Sequence, residues 1–402
     1  MTTRQNIGRR NFLKSAIISA SGTIAGASAI ASPGKISGPK NPKIITRKLG
    51  NTGIEVPVVS MGVMRADNPN LVRAALKAGI KFFDTAHGYQ GGNNEVMLGE
   101  VFKEYPRDSF VIGTKIRPDH YDRTTGTYGP GLTKESIIEK FGISLERLQM
   151  DYVDILYLHG VRSEKPILNE TITEAFTEIK KQGKARHLGI STHSNEPDVI
   201  QAIIDSDIYE VVLTAINFKQ DHIDRLKEKI ALAAEKGIGI VGMKTMAGAF
   251  MDREKTMPIN CKAALKWVLQ DTNIHTTIPG ITTIEQLTEN ISVMENLNLT
   301  EEEKKHLEQA RLTAGLYCDG CMECIAKCKK KLPVNDIMRA FMYTYGYNQF
   351  DKAYTLLNEI DIPENPCNDC SNCPVMCRKG FNVHDRIADV TRLRKVPRDF
   401  IS

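Results

Sequence analysis

The stretch Ile80-Lys81-Phe82-Phe83-Asp84-Thr85-Ala86-His87-Gly88-Tyr89 decides the fold. An apolar run ends abruptly in a carboxylate, and a phenol follows five residues later, just past a glycine. A buried strand with an acid at its C-terminal end and a tyrosine on the next loop is the layout of a barrel active site. Outward from it, short apolar runs recur between amphipathic stretches. They are Val58–Met61, Lys81–Phe83, Phe110–Thr114, Val153–Leu158, His187–Ile190, Val211–Ile216, Gly239–Met243 and Thr276–Pro279. Eight such strand–helix units over about 250 residues predict a (β/α)8 TIM barrel. Strands without alternation are expected where helices cover the sheet. The intervening segments carry apolar residues at helical spacing, as in Ile137, Ile138, Phe141, Leu145, Leu148 and in Ile223, Leu226, Ile230, Ala233. A hairpin precedes the barrel, with Arg47–Leu49 and Ile54–Val56 flanking Asn51-Thr52-Gly53. The rival is a doubly wound sheet, but no Gly-x-Gly-x-x-Gly follows the first strand.

The totals leave room for a second, smaller domain. The chain has 402 residues, 41% hydrophobic and 25% charged, enough for a sizeable core. A net charge of +5, partly contributed by the first residues, is a weak argument for a nucleic-acid surface. Of nine cysteines, Cys261 stands alone and reads as a small buried hydrophobe. The other eight crowd between Cys318 and Cys377. Trp267 reads as a helix core residue.

Function in a barrel sits at the C-terminal ends of its strands. There the sequence offers Asp84 on strand two, Lys115 on strand three and His159 on strand four, beside Tyr89. Asp84 and Lys115 alone could be a structural ion pair. All four in this order are hard to explain as packing. A phenol with pKa about 10 needs help to exchange protons at neutral pH. Lys115 is expected to lower that pKa, with Asp84 holding the ammonium. His159 could donate to a carbonyl that gains charge. His87 reads as a loop residue behind the site, and His193 as a candidate for the pocket wall.

These residues, in the contexts Phe-Phe-Asp-Thr-Ala-His-Gly-Tyr, Phe-Val-Ile-Gly-Thr-Lys and Asp-Ile-Leu-Tyr-Leu-His, resemble the aldo-keto reductase family. The resemblance runs from about Lys43 to about Arg311. It implies that Tyr89 protonates a carbonyl oxygen as hydride arrives from a nicotinamide, NADP or NAD. It also implies a cofactor surface of Gly62, Ser191, Thr192, Met243, Lys244, Thr282, Glu289 and Asn290. The sequence departs from the family pattern at several of these places. Thr192 replaces an Asn, Leu213 a Gln, and Met243 a stacking Tyr. A thioether can still pack on a ring face. Lys244 places a cation where a phosphate could lie, or forms a rim salt bridge. Thr282 or Thr283 caps a helix whose free N–H groups suit a phosphate. Gly280 and Gln286 stand where basic residues usually grip a 2′-phosphate.

Beyond Arg311 the pattern changes. Cys318-x2-Cys321-x2-Cys324-x3-Cys328 is followed by Cys367-x2-Cys370-x2-Cys373-x3-Cys377. This is the bacterial ferredoxin spacing for [4Fe–4S] clusters, in which the fourth cysteine of a run ligates the other cluster. It predicts Cys318, Cys321, Cys324 and Cys377 on one cluster and Cys367, Cys370, Cys373 and Cys328 on the other. Lys329 and Arg378 stand where a proline usually follows. Zinc sites and disulfides are the alternatives. The segment from Asn335 to Ile360 predicts helix. A mainly helical ferredoxin-like domain over residues 313–402, after a barrel over 43–312, is the expected division, with the module near the barrel rim because electron transfer needs short distances.

At the other end, Gly8-Arg9-Arg10-Asn11-Phe12-Leu13-Lys14 precedes an apolar run from Ser15 to Ala31. Residues 1–31 resemble a twin-arginine export signal, and 32–42 read as a linker. An uncleaved anchor or a tail is the alternative. The expectation is a periplasmic protein that touches membrane only through this signal, acts on a small carbonyl or alcohol, and exchanges electrons with an external redox partner. An electron-transfer or binding protein without nicotinamide turnover is one alternative. A non-redox lyase or isomerase with structural clusters is the other.

Overall fold

Strand β1 (Thr46–Lys48) pairs antiparallel with β2 (Glu55–Pro57), forming the expected hairpin at the start of the chain's computed structural model. The structure describes residues 44–401 apart from 124, 253–254, 314–317, 369 and 371. The export signal and linker expected over residues 1–42 lie outside them. The hairpin closes the floor of the barrel. Leu49 and Val56 join Phe82, Ile155, Tyr157, Val211, Leu213 and Val241 in one buried cluster. The Asn51 amide donates to Gly237 O at 2.7 Å. Gly50 has φ +53, and a Cβ there would stand 2.3 Å from Gly237 O, so only glycine lets the hairpin approach.

All eight expected strands form. They are β3 (Met61–Gly62), β4 (Phe82–Asp84), β5 (Val111–Ile116), β8 (Val153–Val161), β9 (Ala185–Thr192), β10 (Val211–Ala215), β11 (Gly239–Met243) and β12 (Thr276–Thr277). They pair in parallel in this order, and the parallel bridges Val59–Thr277 and Gly62–Gly280 join the two ends. Helices wrap the outside. Lys134–Leu148 buries Ile137, Phe141, Leu145 and Leu148, and Thr133 caps it by accepting from the Ser136 amide at 3.1 Å. Ile223–Glu235 buries Leu226, Ile230 and Ala233. A small antiparallel ribbon after β5, formed by β6 (Tyr121–Asp122) and β7 (Thr127–Tyr128), was not expected from the sequence. Two-residue strands carry too little periodicity to be seen.

The cysteine-rich segment has its own core, built on Val334, Ile337, Phe341, Leu356, Leu357, Val383 and Ile387. The helix expected over Asn335–Ile360 is two helices, Val334–Phe341 and Phe350–Glu359, joined through a π-helical turn at Met342–Gly346. Lys43–Ser402 forms one compact unit, so this segment packs on the barrel.

Candidate active site

β4, β5 and β8 are adjacent, so their C-terminal ends deliver Asp84, Lys115 and His159 to one place. The Lys115 ammonium, only 2% exposed, donates to Asp84 Oδ1 at 2.5 Å and to Thr85 O at 2.6 Å. It also donates to Tyr89 Oη at 3.5 Å. The His159 ring meets Tyr89 edge-on, with centroids 5.9 Å apart. The structure therefore brings the four residues together.

Burial dominates their electrostatics. It pushes the Tyr89 phenol above its ordinary value of 10, against the pull of Lys115. The expected net lowering by Lys115 is thus corrected: the ammonium acts in the expected sense, but desolvation outweighs it. For Lys115, burial works against the charge, yet Asp84 and Tyr89 carry its pKa above the ordinary lysine value. Burial pushes the Asp84 carboxyl above its ordinary range, against the pull of Lys115 at 2.5 Å. Burial, and then the charges of Arg117, Lys115, Lys352 and Arg339, hold His159 well below 6.5. The imidazole is therefore neutral.

His87 faces away from this corner. Its Nδ1 lies 3.0 Å from Ser144 Oγ, and burial brings its pKa down to about 4. His193 stands at the mouth, where its Nδ1 accepts from Arg339 Nη2 at 2.9 Å. Its ring is also neutral, held so by burial and then by Arg339.

The residues expected to meet a nucleotide are more occupied. Ser191 Oγ accepts from the Gly160 amide at 3.1 Å, and Thr192 Oγ1 donates to Ser194 O at 3.0 Å. Leu213 is buried inside the barrel. A Cβ on Gly62 would sit 2.7 Å from Ile278 O, which gives this glycine a packing role at the barrel seam. Met243 is partly open at the end of β11. Lys244 has an accessible side chain on a left-handed backbone, φ +55. Desolvation, and then the charge of Arg339, lower its pKa to about 7. Thr283 caps helix Ile284–Ile291 by accepting from the Gln286 amide at 3.2 Å. The Thr282 amide and hydroxyl both donate to Gln286 Oε1, at 2.8 and 3.0 Å. Asn290 is buried on this helix and Glu289 is partly exposed.

The cysteine module covers the mouth. Arg162 Nη2, at the end of the β8 run, reaches Asp336 Oδ2 at 2.9 Å, both buried. Arg123 meets Glu359 at 2.6 Å, and Lys379 meets Asp221 at 2.7 Å. Gly320, φ +78, packs so closely that a Cβ would lie 2.7 Å from His193 O. Within the module, Cys328, Cys367, Cys370 and Cys373 line one cavity walled by Leu332, Val334, Val375, Val383 and Ile387. The other four cysteines group separately. Burial pushes the Cys324 thiol up to about 12, and Cys318, Cys321 and Cys377 add to the rise. Among the described residues, no three His, Cys, Asp or Glu side chains converge as ligands of a single metal ion.

Sequence and fold comparisons agree with the barrel. The model of the aldo/keto reductase family matches residues 59–262, just over half of the chain. L-galactose dehydrogenase of Arabidopsis thaliana is 28% identical over 312 residues, 66% of this chain and 94% of its own. L-glyceraldehyde 3-phosphate reductase of Escherichia coli strain K12 is 24% identical, covering 65% of this chain and 91% of its own. The holo form of aldo-keto reductase AKR11C1 from Bacillus halodurans shares the fold, with 23% identity and a TM-score of 0.54 over 69% of this chain and all of that one. With eight parallel strands in a ring and a family match across its catalytic face, the chain belongs to the aldo/keto reductase family and is an oxidoreductase of that type.

Proposed function

We propose that this protein is an exported iron–sulfur oxidoreductase that interconverts a carbonyl and an alcohol, with Tyr89 as the general acid and base. The observation that carries this reading is the Lys115 ammonium, fixed by Asp84 within hydrogen-bond reach of the Tyr89 phenol. With its pKa raised, Tyr89 stays protonated at neutral pH and can give its proton to an oxygen that is gaining charge. Lys115 then stabilises the phenolate left behind. Neutral His159 can donate an N–H to the same oxygen and orient the carbonyl. A bound reduced nicotinamide, NADPH or NADH, supplies the hydride for the carbonyl carbon. In the opposite direction Tyr89 takes the proton of the alcohol.

The eight cysteines are proposed to hold two [4Fe–4S] clusters, which exchange single electrons with a partner outside the protein. The ligand sets are crossed: Cys318, Cys321, Cys324 and Cys377 in one, Cys328, Cys367, Cys370 and Cys373 in the other. The residues fit such groups. Four thiols share one cavity, and among the remaining four, Cys321 and Cys377 raise the pKa of both Cys318 and Cys324. A single zinc would draw four sulfurs to about 2.3 Å from one ion. A cubane spaces its thiolates more widely, since each meets a different iron. The first set lies beside the mouth, because Gly320 within it touches His193. Export rests on Arg9-Arg10 and the apolar run beyond them.

Replacing Tyr89 with Phe tests the acid. Carbonyl reduction should fall by roughly a hundredfold to ten-thousandfold while nucleotide binding persists. Unchanged turnover would assign the proton to another group. A second reading, electron transfer or binding without nicotinamide turnover, is favoured by the engaged hydroxyls of Ser191 and Thr192 and by buried Leu213. Nucleotide analysis of anaerobically purified protein separates the two. Retained or tightly bound NADP(H) or NAD(H) supports turnover, and neither supports the second reading.

A further inference from the structure

Four cations stand by the mouth and form no salt bridge with a carboxylate among the described residues: Arg117 and Lys244 from the barrel, Arg339 and Lys352 from the cysteine module. Their neighbours Arg123 and Arg162 differ, since both are paired with Asp336, and Arg123 with Glu359 as well. Arg117 Nε donates only to a backbone oxygen, His159 O, at 3.3 Å, and its guanidinium faces the Tyr121 ring. Arg339 donates to a neutral histidine, His193. The Lys352 ammonium stands between two phenol rings, 5.3 Å from the centroid of Tyr89 and 4.8 Å from that of Tyr343. One of those rings is the proposed acid. Three buried carboxylates of this region are engaged elsewhere, Asp84 with Lys115, Asp336 with Arg162 and Glu196 with His222, although the charge of Glu196 also acts on Lys244.

Unpaired cations gathered in a partly enclosed site repel one another and favour an anion. Nothing in the tetrad needs that anion, because Lys115 is already paired with Asp84, and the Cys318 thiol acts on Lys244, which leaves Arg117, Arg339 and Lys352 to the anion. The cations also come from both halves of the molecule, so the site exists only where module and barrel meet. Guanidinium forks match the planar geometry of carboxylate and the oxygens of phosphate.

We propose that the substrate of the carbonyl–alcohol reaction is itself an anion, a small carbonyl or hydroxy compound bearing a carboxylate or phosphate, gripped by Lys352 and Arg339 of the cysteine module together with Arg117 of the barrel. This rests on the reductase reading of the site and names its substrate class. The module is then a specificity element as well as an electron carrier. A neutral aldehyde of equal size would leave the cations uncompensated and bind more weakly.

The test is equilibrium binding to the full-length protein by calorimetry, which needs no turnover and so is separate from the Tyr89 experiment. The probe is para-carboxybenzaldehyde, and its methyl ester is the neutral control. The acid should bind about tenfold or more tightly than the ester, and high salt should erase the difference. Lys352→Met, on a partly exposed helix face, and Arg339→Met should each weaken the acid by about tenfold and leave the ester unchanged. Displacement of the acid by inorganic phosphate assigns the site to phosphate esters too, and failure of phosphate to compete assigns it to carboxylates. Equal binding of acid and ester would overturn the proposal. So would variants that lose NADPH affinity but keep that of the acid, since the cations would then serve the diphosphate of the nucleotide.

Discussion

The barrel corner and the module that covers it treat charge in opposite ways. In the corner, Lys115 is fully engaged by Asp84, Thr85 and Tyr89, all delivered by the neighbouring strand β4 and the turn beyond it. On the module side, Arg339 reaches His193 and Lys352 the rings of Tyr89 and Tyr343, and neither forms a salt bridge with a carboxylate among the described residues. One region is electrostatically closed and the other open. The proposed acid–base group is therefore complete within the barrel, while the module adds a cover and cations that form no salt bridge among the described residues.

The sharpest way to break this contrast is to open the closed region. Lys115→Met leaves Asp84 buried without its partner. The expected loss is about 3–5 kcal/mol in denaturant unfolding, together with loss of turnover. A variant as stable as the parent would show that the pair is not the closed unit described. The junction between the regions comes next. Arg162→Met strips the buried Asp336 of its 2.9 Å partner, and Arg123 at 3.8 Å compensates only in part. A loss of about 3 kcal/mol is expected, with faster proteolytic release of the module from the barrel.

The pH dependence comes from the two neutral histidines. His159 and His193 have folded pKa values below 6.5, so the unfolded chain binds more protons just under that value. Their contribution to stability is complete above 6.5 and is lost as the pH falls below it. Replacing both with Asn should flatten the acid side of the stability profile. Turnover should show no break at 6.5 from His159. Reduction, which needs the Tyr89 proton, should decline only as the pH rises past 10. The smallest expected effect is that of Gly320→Ala. The left-handed backbone and the 2.7 Å approach to His193 O should cost about 1–2 kcal/mol and loosen the first cysteine loop from the mouth.

Much of the barrel was legible because its signals are local. Each strand is a short apolar run, and each tetrad residue stands at or just beyond the end of one, so order along the chain translates into position around the ring. The cover was less legible. Arg162 and Asp336 are 174 positions apart, His193 and Arg339 146, and no periodicity links such pairs. The open charge at the mouth exists only once these segments meet. The pKa of Tyr89 was hidden for a related reason. Its lysine neighbour can be read from spacing, but the burial that outweighs that neighbour is a property of the assembled fold. The ribbon of β6 and β7 escaped because it is too short to leave a pattern, although its Tyr121 ring lies beside Arg117 and Arg162.

The central claim is that a reductase barrel carries a two-cluster module over its active site. Iron, acid-labile sulfide and zinc content of the full-length protein, purified without oxygen, test it most directly. The account predicts about eight irons and eight sulfides per chain. Stoichiometric zinc without iron, or a folded protein free of both, would contradict it.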